Sequence, residues 1–337
     1  MKIEQDEVKI LSGIRGGLTL GSPIALMVEN RDWANWESIM SPAPGAELED
    51  RKITSPRPGH ADLTGAIKYR QEDIRNILER ASARETAMRV AAGSVARELL
   101  RVLGVEINGH VLNIGGVQVE KEMEKDSGFW AVVEESPVSC GDPGTGSRMI
   151  EAIDEAKAKG ESLGGIFEVI VTGLPPGLGS HVQWDRKLDG RLAQAVLSIQ
   201  AIKGVEFGLG FKAGSRPGSQ VHDEISYSGH RGYFHLTNRA GGIEGGMTNG
   251  EPLLIRAVMK PIPTLYSPLG SVDMLSKAQV RASVERSDIC AVPAAAVVAE
   301  AAIAWELACA FLDKFPADHL DDLISGVNTY REYVRKR

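Results

Sequence analysis

Helical and strand periods follow one another along this 337-residue chain without a regular strand–helix–strand repeat. That order constrains the fold more than any single motif does. Ile166–Val171, dominated by β-branched residues, reads as a buried strand, and Leu253–Met259 as another. Further strands are expected at Val8–Leu11 and Ile24–Glu29 around a Gly16-Gly17 turn, and at Val105–Asn108 and Val111–Ile114 around Gly109. Short strands are also expected at Val205–Phe207 and Gln279–Val284. One helix is expected from Ser82 to Gly104, with Met88, Ala91 or Ala92, Val95, Leu99 and Val102 on its apolar face. Others run over Thr145–Lys159, Trp184–Ile202 and the alanine-rich Ala294–Phe315, and a charged helix closes the chain. The mixture predicts an α+β fold of packed layers in one domain over 1–337, not a doubly wound parallel sheet. Within it, the glycine-rich stretch 208–250, which carries His222, His230 and His235, is expected to be a mobile loop region. Trp33 and Trp36, in an irregular proline-containing segment, are expected to plug the core.

The balance of 43% hydrophobic and 25% charged residues is that of a soluble globular protein. A net charge of −7 argues against a general nucleic-acid binder. Cys140, Cys290 and Cys309 are far apart, which suits a reducing, cytoplasmic setting without a disulfide framework or a structural zinc. The apolar run Ala291–Ala304 is interrupted by Pro293 and Glu300, so no membrane span is expected. The chain has no G-x-x-x-x-G-K-[ST] loop, no G-x-G-x-x-G between strand and helix, no H-E-x-x-H and no G-x-S-x-G. These absences weaken P-loop, nicotinamide-fold, zinc-hydrolase and serine-hydrolase readings, and no metal is expected.

Polar motifs at the ends of expected elements remain. Ser55-Pro-Arg-Pro-Gly-His-Ala-Asp62 is a stiff turn that presents His60 between Arg57 and Asp62. Ser82-x-x-Glu85 has the form of a capping box, and the N–H groups of a helix start flanked by Arg80 and Arg84 suit an anion. Gln200-Ala201, Gly245, Lys260-Pro-Ile-Pro-Thr264 and Arg286-Ser-Asp288 complete the set. Lys260 and Arg286 supply positive charge, and the glycines let backbone approach a flat ligand. The combination suits a phosphorylated planar cofactor beside an anionic substrate.

Taken together, these motifs resemble the chorismate synthase family over essentially the whole chain. R-P-G-H-A-D, R-A-S-A-R-E-T-A-M-R-V-A-A-G, G-S-H-V-Q-W-D-R-K-L-D, A-G-G-I-E-G-G-M-T-N-G, K-P-I-P-T and R-S-D-x-C-A-V-P carry the likeness. The resemblance implies a β-α-β sandwich, a cytoplasmic homotetramer and reduced FMN as cofactor, with NADPH a candidate reductant. The implied reaction is the anti-1,4-elimination of phosphate from 5-enolpyruvylshikimate 3-phosphate, which gives chorismate. Flavin contacts are implied for Arg80, Ala81, Ser82, Gln200, Ala201, Gly245, Lys260, Pro261, Ile262, Pro263, Thr264 and Arg286. His60 and Asp288 take the implied catalytic positions, near flavin N1 and N5. The family pattern carries a G-E-S-H-G segment and an arginine-rich stretch ahead of M-K-I-E, where this chain starts. The resemblance and the abrupt strand start therefore imply roughly 50 further residues in the native protein. An alternative reading is a non-catalytic, oligomeric fragment that binds flavin or anions.

Overall fold

The computed structural model describes residues 6–44, 48–81, 84–120 and 123–337. Two compact units emerge. The first takes residues 1–88, 154–163 and 261–289, and the second takes 89–153, 164–260 and 290–337.

The second unit is built on a five-stranded sheet in the order Val117–Gln118, Glu106–Ile114, Gly165–Thr172, Leu253–Met259, Ile202–Phe207. Each neighbouring pair is antiparallel, so the expected α+β class holds. Leu253–Met259 spans the residues its pattern predicted. Glu106–Ile114 is one strand where two were expected around Gly109. Gly109 is not a turn: its N–H donates to Glu300 Oε1 at 2.6 Å, and a Cβ there would lie 2.8 Å from that oxygen. The glycine serves close approach of a helix side chain, which single-sequence turn chemistry cannot distinguish from a bend.

That helix, Val292–Lys314, is long and apolar enough to cross a membrane. Twelve of its residues are buried, from Val292 to Phe311, and it packs on the Glu106–Ile114 and Gly165–Thr172 strands and on the Leu188–Leu197 helix. It is the core of the unit. Beside it, the Arg84–Val102 helix buries Ala91, Gly93, Ala96 and Leu100, whereas Met88 and Val102 are exposed. The buried face is thus the small-residue face: of the expected face Ala91 is buried, but the larger Met88 and Val102 are not. Close approach explains the choice: a Cβ on Gly93 would lie 2.5 Å from Ala301 Cβ and 2.6 Å from its carbonyl oxygen. Gly93→Ala should therefore lower stability by about 1–3 kcal/mol through overpacking, although alanine in an open helix would gain about 1 kcal/mol. Thermal unfolding of the variant would show this, and an unchanged or raised midpoint would refute it.

The helix expected over Trp184–Ile202 is shorter. A 3-10 turn at Trp184–Arg186 precedes an α-helix over Leu188–Leu197, with Leu188, Leu192 and Val196 buried at every fourth position. Ala201, at φ +65°, then turns the chain into the strand that starts at Ile202. Stretch 208–250 carries short strands of its own. It holds the hairpin Ile225–Ser228/Gly232–His235 and the short ladder Ile243–Glu244/Met247–Thr248.

In the first unit, Val8–Ser12 pairs antiparallel with Ala25–Val28, as the sequence indicates. The strand expected over Gln279–Val284 stops at Arg281 and pairs with Gly270–Val272. Short helices run over Asp62–Tyr69 and Arg75–Ala81. Arg80 and Ala81 lie in the Arg75–Ala81 helix, and the next described helix is Arg84–Val102. Ser82, the proposed capping residue, lies outside the described residues. Trp33 is exposed, and Trp36 is covered by the guanidinium groups of Arg51 and Arg75 at 4.6 and 5.0 Å from its ring, so neither tryptophan plugs the core. Two cations over one ring hold a surface turn together instead.

Candidate functional site

The turn that presents His60 is held from beneath. Gly59, at φ +78°, makes the bend that a residue with a side chain would resist. Asp62 opens the helix Asp62–Tyr69 and is fully buried. Arg57, also buried, donates from its backbone N (3.0 Å) and from Nε (2.9 Å) to Asp62 Oδ2, and from Nη2 to Oδ1 at 3.2 Å. Its Nη1 donates to Thr264 Oγ1 at 2.7 Å. His60 Nδ1 lies 2.5 Å from Asp62 Oδ1, with the ring about one-sixth exposed at 17%. Burial alone would raise the Asp62 carboxyl, but hydrogen bonds from His60 and Arg57 outweigh it and hold the group well below the usual carboxylate range. A buried carboxylate is thereby paired with a buried guanidinium, and the imidazole rests on the same carboxylate. Ser271 Oγ donates to Pro56 O at 2.6 Å and Ser283 N to Ser55 O at 3.3 Å, which pins the turn to the 261–289 segment of the same unit.

Asp288 lies in that segment too. Its side chain is exposed, yet its backbone is braced on both sides. Tyr266 donates its hydroxyl to Ser287 O at 3.2 Å, and Leu163 N donates to Ile289 O at 2.8 Å. Arg286 is exposed two residues earlier. Among the described residues, no hydrogen bond or ion pair joins Asp288 to His60. Ile262 O accepts from Ser162 Oγ at 2.6 Å, so the Pro261–Thr264 strap is fastened at Ile262 and at Thr264.

In the second unit, Lys260 N donates to Ala201 O at 3.0 Å and brings two of the sequence-derived residues together at the strand end. Burial, and then the charge of neighbouring Lys203, push the Lys260 ammonium below its ordinary value. Two ammonium groups that repel each other form a donor set that an anion would relieve. Gly245, at φ +60°, has no atom nearer than 3.9 Å to the place a Cβ would occupy, the nearest being on His181. That open backbone admits the face of a flat ligand. The donors and the bare backbone fit a phosphorylated planar group.

Arg57 stands beside His60 among the polar motifs read from sequence, whereas Asp62 was not among the site residues derived from sequence, although it flanks His60 in the motif. The one-residue spacing of His60 and Asp62 was the available signal. The partnership of Arg57 with Thr264 had none.

A sequence profile described as chorismate synthase matches residues 1–312. The chorismate synthase of Desulfitobacterium hafniense strain Y51 is 59% identical over 337 residues, which cover all of this chain and 87% of that protein. That of Moorella thermoacetica is 58% identical, with the same shares covered. Among solved structures, a crystal structure of chorismate synthase superposes with a TM-score of 0.80 at 44% identity, covering 98% of this chain and 86% of that one. With a profile matched over most of its length and relatives well above half identical throughout, this chain belongs to the chorismate synthase family.

Proposed function

We propose that this chain removes phosphate from 5-enolpyruvylshikimate 3-phosphate by anti-1,4-elimination to give chorismate, as a carbon–oxygen lyase that requires reduced FMN. The observation that carries the reading is the half-buried imidazole of His60, held on a buried carboxylate and able to hold or pass a proton at a fixed place. Reduced FMN, when bound, would supply an electron-rich ring that favours departure of the phosphate and accepts a proton. Contacts to it are assigned in the first unit to Arg80, Ala81, Ser82, Pro261, Ile262, Pro263, Thr264 and Arg286. In the second unit they are assigned to Gln200, Ala201, Gly245 and Lys260. The adjacent Lys260 and Lys203 charges support an anionic group there.

The chain's own contributions follow from its side chains. His60 controls a proton at flavin N1. Asp288, exposed on a braced backbone, offers a carboxylate near flavin N5 that helps remove the substrate proton through the flavin. Lys260 and Arg286 orient anionic groups. The bond changes cancel without net oxidation, which agrees with a chain that carries no nicotinamide fingerprint. Assembly as a homotetramer, a cytoplasmic setting, reduction of the flavin at the expense of NADPH and mobility in 208–250 belong to the same proposal. Anaerobic incubation with reduced FMN and the phosphorylated substrate should release one phosphate per chorismate formed, with none released when the flavin is kept oxidised. Tight flavin binding with no elimination under reducing conditions would favour the non-catalytic reading.

A further inference from the structure

The contacts around Asp62 fix more than the position of His60. Asp62 Oδ2 is taken by two donors from Arg57, its backbone N and Nε. Oδ1 faces Arg57 Nη2 at 3.2 Å and His60 Nδ1 at 2.5 Å. An ionised carboxylate has only acceptors, so His60 Nδ1 must carry the hydrogen in that contact. Arg57 Nη2 also lies 3.1 Å from Nδ1. It cannot donate there as well, because a protonated Nδ1 has no lone pair to offer. Arg57 Nη1 is engaged by Thr264 Oγ1, which sets the roll of the guanidinium and keeps its other arm on the carboxylate. The neutral imidazole is therefore locked with its hydrogen on Nδ1 and its lone pair on Nε2.

We propose that Asp62 is a positioning residue for the reaction: it fixes the tautomer of His60, so that Nε2 is the one atom through which the ring exchanges a proton. Arg57, itself held by Thr264, braces that carboxylate, and its Nη2 lies beside the ring, 3.1 Å from Nδ1 and 3.5 Å from Nε2. This rests on the assignment of His60 to the proton-controlling role above. The consequence of an Asp62→Asn substitution is specific. The side-chain amide it introduces has a single oxygen, and two Arg57 donors converge where Oδ2 now lies. The amide NH2 is then turned toward His60 Nδ1, which must become the acceptor, and the hydrogen moves to Nε2.

The test is a nitrogen-15 spectrum of histidine-labelled, ligand-free protein, with the His60 ring assigned by its absence in His60→Ala and recorded where the imidazole is neutral. Wild type should show the hydrogen on Nδ1. Asp62→Asn should show it on Nε2, with turnover lower by on the order of 10³-fold and FMN affinity within about threefold, as for a contact that acts on tautomer and not on binding. Asp62→Glu, which keeps two acceptor oxygens, should recover part of the turnover and the wild-type tautomer. A wild-type spectrum with the hydrogen on Nε2 overturns the inference whatever becomes of the variants. A reversed tautomer in Asp62→Asn with full turnover also overturns it. His60→Ala separates the two levels in that case: if it is inactive, the role of His60 stands without Asp62, and if it is fully active, the role of His60 falls as well.

Discussion

Replacing Glu168 by alanine is expected to destabilise the second unit by about 3–5 kcal/mol, because it removes the buried carboxylate on which His110 and Arg256 both rest. Glu168 is buried at the middle of a polar row that crosses four strands in register. His110 pairs with Glu168, Glu168 with Arg256, and Arg256 with Glu206. Glu168 Oε1 meets His110 Nε2 at 3.1 Å, and Oε2 accepts from Arg256 Nε at 2.6 Å. His110 is also buried, edge-on to Phe129 and Trp130. Without the carboxylate, His110 loses its acceptor and Arg256 keeps only Gly208 O and the more distant Glu206. Burial by itself would raise the Glu168 carboxyl, but the His110 hydrogen bond and the Arg256 charge lead the contributions that bring it below its ordinary value. Its folded value therefore lies below its unfolded value near about 4.3. The stabilisation it brings is fully present above that unfolded value and is lost as the pH falls through the lower, folded one. Urea unfolding at pH 7 should show the full deficit in Glu168→Ala, and the gap to wild type should narrow as the pH is taken below 4. A deficit under about 1 kcal/mol at pH 7 would mean the row is solvated enough to be indifferent.

The same residues show where sequence reading stops. Leu253–Met259 and the core of Gly165–Thr172 were legible because continuous apolar, β-branched residues leave little else for a buried strand to be. Even there, Glu168 and Arg256 are charges in the middle of strands, and only the register that sets them opposite each other makes them tolerable. Two glycines have reasons that their local sequence does not show. Gly109 looked like a turn and Gly93 lay inside an expected helix, yet each lets the Val292–Lys314 helix come close. Distance in sequence hides such reasons. The site divides along the same line: His60 and Asp62 sit two apart in one motif and could be read, whereas Thr264, which holds the far side of Arg57, is 207 residues away. Family resemblance supplied residue identities across that distance, and the hydrogen bonds supply what Arg57 and Asp62 are for.

His60→Ala and Asp288→Asn should each lower turnover by on the order of 10²–10⁴-fold, the usual effect of losing a positioned proton-transfer group, while the chain still folds and binds FMN. The folding half of this expectation comes from exposure. Asp288 is exposed, and its backbone is held by Tyr266 and Leu163 through groups the substitution leaves untouched. His60 is partly exposed, and the pairing of Arg57 with Asp62 and Thr264 survives its removal. Asp62 would then have lost one donor of four, against three that remain from Arg57. A stability cost near 1 kcal/mol is expected for that single hydrogen bond, small beside the effect on rate. The two variants should also differ in kind. If His60 controls a proton on the flavin side, His60→Ala should change the pH dependence with which reduced FMN binds, and Asp288→Asn should not. If Asp288 helps remove the proton from the substrate carbon, a deuterium label there should slow the reaction more in Asp288→Asn than in wild type, because proton removal has become the slower step. Stopped-flow measurement of phosphate release with labelled and unlabelled substrate reads both effects. Equal isotope effects in wild type and Asp288→Asn, with turnover unchanged, would remove Asp288 from the proton path and leave His60 as the only proton-transfer group assigned in this chain.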